Sequence, residues 1–230
     1  MTGFCHFLTV MAGEGNWAMD ADHVARLLGA IDGLRHAVAM APAGARDLYY
    51  DDGPAPVGML QLHYDRLEDL EAGANGALAR LPEVLGRGVS LRHQAMVCRS
   101  FAVPETRRAA TGCAYMVHYW GQPRDANAWH RHYLAHHVPV MTRFPGLRSL
   151  EIYTPVEWVD DLDWPREAHF QRNRILFDDE AVLEHTLHSP VRDEMKADRA
   201  QFPAFDGGSG HFAMKTMTLY DRQGAFDHAV

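Results

Sequence analysis

Four histidines lie within eight residues of the chain, in the segment HRHYLAHHVPVMTRFPG. They are His130, His132, His136 and His137. Histidine binds metal ions through a neutral ring nitrogen, and it also transfers protons near neutral pH because its ordinary pKa is about 6.5. The segment therefore predicts one of three things: a metal site, an acid–base site, or solvated histidines on an ordinary helix.

Capping signals predict that these histidines lie on a helix from Asp125 to about Arg143. Asp125 is a good N-cap residue, and its side chain can accept a hydrogen bond from the first turn. The helix must end before Pro145, which cannot continue it, and Gly146 tolerates a left-handed C-terminal position. The geometry of this helix then decides which histidines can act together.

The histidines fall on two stripes of this helix, so one metal ion cannot bind all four. At about 100° per residue, one stripe carries His130, Leu134, His137 and Met141. His132 and His136 share the other stripe at a spacing that can bind zinc. No third ligand is recognisable near that pair, so we expect no metal site.

His137 is the histidine that we predict to be catalytic, as a general acid or base. It shares the inward stripe with apolar residues, and the alternative is a core histidine bonded to a backbone carbonyl. The strand CAYMVHYW offers Tyr119 as a second catalytic group. The predicted substrate-binding side chains are Tyr133, Trp120, Met141 and Trp158. Trp158 belongs to the segment 156–170, which we expect to form a lid.

An internal repeat divides the chain into two halves. The segment DGLRHAVAMAP, which contains Gly33, matches PGLRSLEIYTP, which contains Gly146, at an offset of 113 residues. We expect a degenerate half over 1–105 and a half that carries the site over 110–225. At this offset His137 corresponds to Val24, so we expect one working site, in the second half, and a packed position in the first.

The pattern of the second half predicts a β-α-β-β-α-β order, which is that of a ferredoxin-like unit. Such a unit has a four-stranded antiparallel sheet with helices on one face, and its other face needs a cover. The predicted fold class is therefore α+β, with two ferredoxin-like halves whose sheets pack face to face as a pseudo-dimeric barrel. An eight-stranded barrel leaves room for one small ligand.

The second half resembles the EthD-like family of the dimeric α+β barrel superfamily. The resemblance is carried by His137-Val138-Pro139 and Pro145-Gly146-Leu147, and by a second helix with Ser189-Pro190 and an ending at Asp198 and Phe202. It covers most of 112–222. It implies the barrel fold and a superfamily of dehydratases, cyclases, isomerases, monooxygenases, haem enzymes and accessory proteins. The sequence itself offers no signal specific to haem, and we expect no cofactor.

Two functions of different class remain open on this basis. The first is a cofactor-independent lyase or isomerase that acts on a small cyclic or aromatic molecule, with His137 moving a proton next to a carbonyl. The second is a non-catalytic carrier of such a molecule, or an accessory protein to an oxygenase.

Composition excludes several other classes. The net charge of −8 argues against a nucleic-acid partner, and no apolar run is long enough to span a membrane. The first eleven residues show no signal peptide, and the three cysteines have no CxxC spacing, so we expect a cytoplasmic protein. There is no glycine-rich nucleotide motif. Association into a homodimer is left open.

Overall fold

The computed structural model describes residues 2–11, 19–86, 88–107 and 109–223, and its strands form one closed barrel. Eight antiparallel strands follow each other round the barrel in the order β1-β3-β2-β8-β5-β7-β6-β4. In chain order they are β1 Thr2–Met11, β2 Leu34–Pro42, β3 Gly58–Tyr64, β4 Ser90–Phe101, β5 Thr111–Pro123, β6 Ser149–Pro155, β7 His169–Phe177 and β8 Phe205–Asp221.

The helices lie between these strands in the sequence. The first half has α1 Ala21–Gly29, α2 Leu67–Ala74 and α3 Leu81–Leu85, with a 3₁₀ turn at Ala77–Arg80. The second half has α4 Ala126–His132, a π-helical turn at Tyr133–His137, α5 Val138–Met141, α6 Glu180–Leu187 and α7 Pro190–Arg199. None of the helices in the described residues is both long enough and apolar enough to cross a membrane.

The predicted fold class, two ferredoxin-like sheets packed face to face, is wrong. The two sets of strands are instead hydrogen-bonded to each other at both edges, since β2 pairs with β8 and β4 pairs with β6. An unpaired strand edge leaves backbone donors and acceptors without partners, and closing the barrel satisfies all of them. The division into halves over 1–105 and 110–225 stays a prediction, and its ends at residues 1, 224 and 225 lie outside the described residues.

Side chains alternate between the inside of the barrel and the helices around it. Ala114 and Met116 of β5 belong to a cluster built from strand residues, which fills the barrel. Tyr115, Val117 and Tyr119 point the other way and pack with the second-half helices. Tyr115 and Tyr119 of β5 therefore face the helices, and the space between this wall and the helices holds the candidate site.

The helix that carries the histidines begins and ends where the sequence predicts. The Asp125 carboxylate accepts a hydrogen bond of 2.9 Å from the Ala128 N–H, which caps α4. Gly146 has φ of 74°, and a Cβ there would lie 2.6 Å from Val182 Cγ1. The π-helical turn before Pro139 was not predicted; proline has no N–H to continue the regular hydrogen-bond ladder. This wider turn ends at His137.

Candidate active site

A pocket of about 430 Å³, counting its opening, lies between the second-half helices and the outer face of the barrel. The enclosed part of this space is only about 40 Å³, so a small organic ligand would enter by moving side chains that line the pocket. We call this space the helix-side pocket. It is lined by Tyr50, Tyr115, Val117, Tyr119, Tyr133, His137, Met141, Phe144, Asn173, Ile175, Arg192, Met195, Arg199 and His211. The lining is mainly apolar and aromatic, with a few polar groups that could orient a ligand.

His137 lies on the pocket wall and is paired with a carboxylate. Its side chain is buried, and its Nδ1 lies 2.6 Å from Asp198 Oδ2 of α7. The other carboxylate oxygen of Asp198 lies 3.2 Å from His132 Nε2. Asp198 thus fixes the orientation of the His137 ring, and within the described part of the chain Nε2 of His137 has no protein partner.

Burial decides the charge of His137. Removal from water lowers the pKa of His137 to about 4, although the hydrogen bond and the negative charge of Asp198 both oppose this change. The nearby charges of Arg199 and Arg192 lower the pKa further. The imidazole is therefore neutral at pH 7, with Nδ1–H donating to Asp198 and the Nε2 lone pair available to accept a proton.

A chain of hydrogen bonds ends at the hydroxyl of Tyr119. Gln171 Nε2 donates to Asn173 Oδ1 at 3.0 Å, Asn173 Nδ2 donates to the Tyr133 hydroxyl, and Tyr133 is hydrogen-bonded to Tyr119. Burial raises the pKa of both phenols. The hydrogen bond between them raises the pKa of Tyr133 further and lowers that of Tyr119, as expected when Tyr133 is the donor. The hydroxyl proton of Tyr119 is then free to donate to a ligand.

Two arginines of α7 give the pocket a positive side. Arg192 is neutralised, because its Nε and one terminal nitrogen lie 2.8 Å and 2.7 Å from Asp47. Arg199 forms no ion pair among the described residues; its guanidinium lies 5.6 Å from the ring centre of Tyr119 and 4.8 Å from that of Phe202. Arg199 is thus the cation best placed to attract a negative group on a ligand.

The pocket is covered by a loop from the other half of the sequence. Asp47 of this loop, which spans 43–57, accepts a hydrogen bond of 2.6 Å from the Tyr115 hydroxyl. Tyr50 stacks on His211 with ring centres 4.0 Å apart, and Asp52 lies 2.7 Å from His211 Nδ1. The site of the second half is therefore completed by the first half.

The segment that we expected to be the lid covers the first half instead. Trp158 packs edge-on against His6 and His93, with ring centres 5.0 Å apart in each case. His93 Nε2 also lies 3.1 Å from the carbonyl oxygen of Trp164. Trp158 and Trp164 thus pack in the first-half core, and Val24, which the 113-residue offset matches to His137, is completely buried in the same cluster.

The structure brings together four of the six predicted site residues. His137, Tyr119, Tyr133 and Met141 all line the helix-side pocket. Trp120 does not, because it lies on the other face of β5, is 46% exposed, and packs over Gly208 and Gly210. Trp158 lies in the first-half core, as described above. The functional roles of these residues stay predictions.

Of the other three histidines of the segment, His132 and His136 lie side by side with ring centres 4.8 Å apart, and His130 lies elsewhere. His130 stacks on Phe170, His132 contacts Asp198, and His136 is exposed. Among the described residues, they do not form a group of three metal-binding side chains. Of the four histidines in the segment, His137 is the one that lines the helix-side pocket.

The sequence did not reveal Arg199 as a pocket residue or Asp198 as the partner of His137. Asp198 was noted as part of a family-like helix ending, but its partner lies 61 residues earlier in the chain. One pattern in the sequence could have identified them. Phe202 follows Asp198 by four residues and Arg199 by three, and residues at these spacings near the end of a helix share a face.

No family model matches the chain, and no curated protein matches it. Solved structures match over nearly the whole length. An anthrone oxidase-like protein has a TM-score of 0.58 at 12% identity, covering 99% of this chain and 97% of that one. A protein from Fusobacterium nucleatum described as a monooxygenase has a TM-score of 0.58 at 11% identity, covering 100% and 97%. Identities this low show a shared fold.

An EthD family protein from Bacillus halodurans is similar over a shorter region. It covers 43% of this chain and 96% of its own, at 19% identity and a TM-score of 0.34. The full-length matches show that this chain shares its fold with these proteins. Membership of the EthD-like family itself stays a prediction.

Proposed function

We propose that the protein is an enzyme that removes a proton from a carbon next to the carbonyl of a small cyclic or aromatic molecule. The observation that carries this proposal is the His137–Asp198 pair on the wall of an aromatic pocket. A neutral imidazole whose far nitrogen faces a ligand, and whose near nitrogen is held by a carboxylate, is the arrangement of a general base.

The proton transfer follows from the groups around the pocket. His137 Nε2 accepts the proton, and the electron pair of the broken C–H bond moves onto the carbonyl oxygen, giving an enolate. Asp198 stabilises the imidazolium that forms, which compensates for the low pKa of the buried ring. Arg199 and the Tyr119 hydroxyl are placed to stabilise the negative oxygen.

The enolate can be reprotonated elsewhere or can expel a leaving group, which are isomerase and lyase reactions. The shared fold with an anthrone oxidase-like protein and with a protein described as a monooxygenase supports a small organic substrate in general. The resemblance to a superfamily that includes haem enzymes raises the question of haem, but the enclosed space of the helix-side pocket is about 40 Å³, which does not hold a porphyrin macrocycle. No step is therefore assigned to haem.

A non-catalytic carrier is the second candidate, and the low pKa of His137 favours it, because a weakly basic imidazole is a poor proton acceptor. A carrier would use the same aromatic walls and the same cation to hold its ligand. It would bind the molecule without exchanging its protons.

Deuterium exchange separates the two candidates. Anthrone and related polycyclic ketones are incubated with the protein in D₂O, and mass spectrometry follows deuterium uptake at the activated carbon above the buffer rate. We expect catalysed exchange, reduced by roughly 10²–10⁴ in His137→Gln, which cannot exchange a proton at neutral pH. His136→Gln is the matched control, since His136 is exposed on the same helix. Binding without exchange across the series would support the carrier.

A further inference from the structure

Three strands place a possible metal-binding set inside the barrel, away from the helix-side pocket. His63 of β3, Cys98 of β4 and Glu151 of β6 each offer one ligand atom, and these atoms all lie within 4.8 Å of one another. The strand pairing explains the convergence. Cys98 lies opposite Tyr153, and Glu151 precedes Tyr153 by two residues. His63 lies opposite Cys5, which belongs to the same interior cluster as Cys98 and Tyr153, so the three candidate ligands share the inner face.

We propose that His63, Cys98 and Glu151 bind a zinc ion. Imidazole nitrogen, thiolate sulfur and carboxylate oxygen are the three ligand types of protein zinc sites. Bond lengths of 2.0–2.3 Å in a tetrahedral site put ligand atoms about 3.5 Å apart, so the set must close by roughly 1 Å. The His63 and Glu151 side chains can make such an adjustment through their rotamers.

The cavity next to Glu151 provides an entry route for the ion and a water molecule as its fourth ligand. Glu151 lines a cavity of about 1000 Å³, counting its opening, at the end of the barrel, and solvent can reach it from there. A water molecule from this cavity can occupy the fourth position.

The protonation state of the His63 and Cys98 side chains is compatible with zinc binding. Burial lowers the pKa of His63 to about 3, so the imidazole is neutral and keeps a lone pair at pH 7. Burial raises the pKa of the Cys98 thiol, so zinc must displace a proton there, as it does at other cysteine sites. All three cysteines of the chain are free.

Arg174 is the group that opposes zinc. One of its terminal nitrogens lies 2.7 Å from Glu151 Oε2, and the Tyr153 hydroxyl donates to the same oxygen. Both of these contacts are made with Oε2, so Oε1 is the oxygen that we expect to bind the ion. The thiolate and the carboxylate offset the two charges of zinc, while the remaining charge of Arg174 limits the affinity.

Cobalt(II), which substitutes for zinc and is coloured, tests the proposal on the intact protein. A thiolate ligand produces a charge-transfer band in the near ultraviolet. We expect the reduced wild type to take up about one Co²⁺ per chain with this band, and zinc to displace it. Cys98→Ala should lose the band and weaken uptake roughly tenfold or more. Cys113→Ala is the matched control, because Cys113 is also buried but lies among the second-half core residues.

Circular dichroism of each variant establishes that it is folded. Should Cys98→Ala fail to fold, Glu151→Gln is the second variant, which should keep the thiolate band and bind more weakly. The proposal is overturned if the wild type shows no thiolate band, if the band persists in Cys98→Ala, or if both cysteine variants lose it equally.

Discussion

Replacing His137 by glutamine should make the protein less sensitive to acid. The pKa of His137 falls from 6.5 to about 4 on folding, chiefly through burial, so protonation favours the unfolded chain. The resulting loss of stability is absent at neutral pH, begins as the pH falls through about 6.5, and is complete below about 4. Glutamine has no such ionisation and removes this contribution.

The size of the effect follows from the same two values. The full difference in pKa corresponds to about 3 kcal/mol, of which about 2 kcal/mol is lost between about pH 7 and about pH 5. Other buried histidines, among them His63 and His118, have lowered pKa values as well, but they remain in both proteins. Their contributions therefore cancel in the difference between variant and wild type.

Urea unfolding at the two pH values measures this difference. The stability of His137→Gln should fall by about 2 kcal/mol less than that of the wild type on going to the lower pH. His136→Gln, at an exposed position of the same helix, should follow the wild type. If His137→Gln loses as much stability as the wild type, then His137 is not buried in a neutral state and the reasoning about its base function fails.

Three further predictions concern the pocket and its supports. Asp198→Asn should shift the acidic limb of the exchange reaction to lower pH, because the Asp198 carboxylate raises the pKa of His137; an unchanged pH profile would show that Asp198 has no such role. Trp158→Ala should lower the free energy of unfolding, measured in urea, by about 3–5 kcal/mol, and Trp120→Ala by much less, because Trp158 is buried and Trp120 is 46% exposed. Equal losses would contradict the placement of the two side chains. Gly146→Ala should lower the melting temperature, with a cost of about 1 kcal/mol or more, because φ is 74° and Val182 is close; an unchanged temperature would refute this.

Local structure could be predicted from the sequence where one residue type dictates it. Asp125 caps the histidine helix, and Gly146 ends it in the left-handed conformation. The assignment of His137 to the inward stripe followed from helix geometry alone. The π-helical turn that ends at His137 was not predicted, although Pro139, which has no N–H to continue the regular hydrogen-bond ladder, is visible in the sequence.

Contacts between distant parts of the chain could not be predicted. The two edges that close the barrel join strands of different halves, and a pattern of alternating residues does not specify which strands pair. The cover of the helix-side pocket comes from 43–57, whereas Trp158 packs into the other half. Asp198 reaches His137 because α7 lies beside the histidine helix, which neither sequence segment encodes by itself.

The central claim is that the helix-side pocket is the ligand site, with His137 at its wall. The most direct test is a crystal structure of the protein with a polycyclic aromatic ketone or phenol selected by binding. We predict that the ligand lies against Tyr119 and Tyr133, with its oxygen towards Arg199 and the adjacent carbon near His137 Nε2. A ligand bound in the cavity at the end of the barrel, with the helix-side pocket unchanged, would contradict the account.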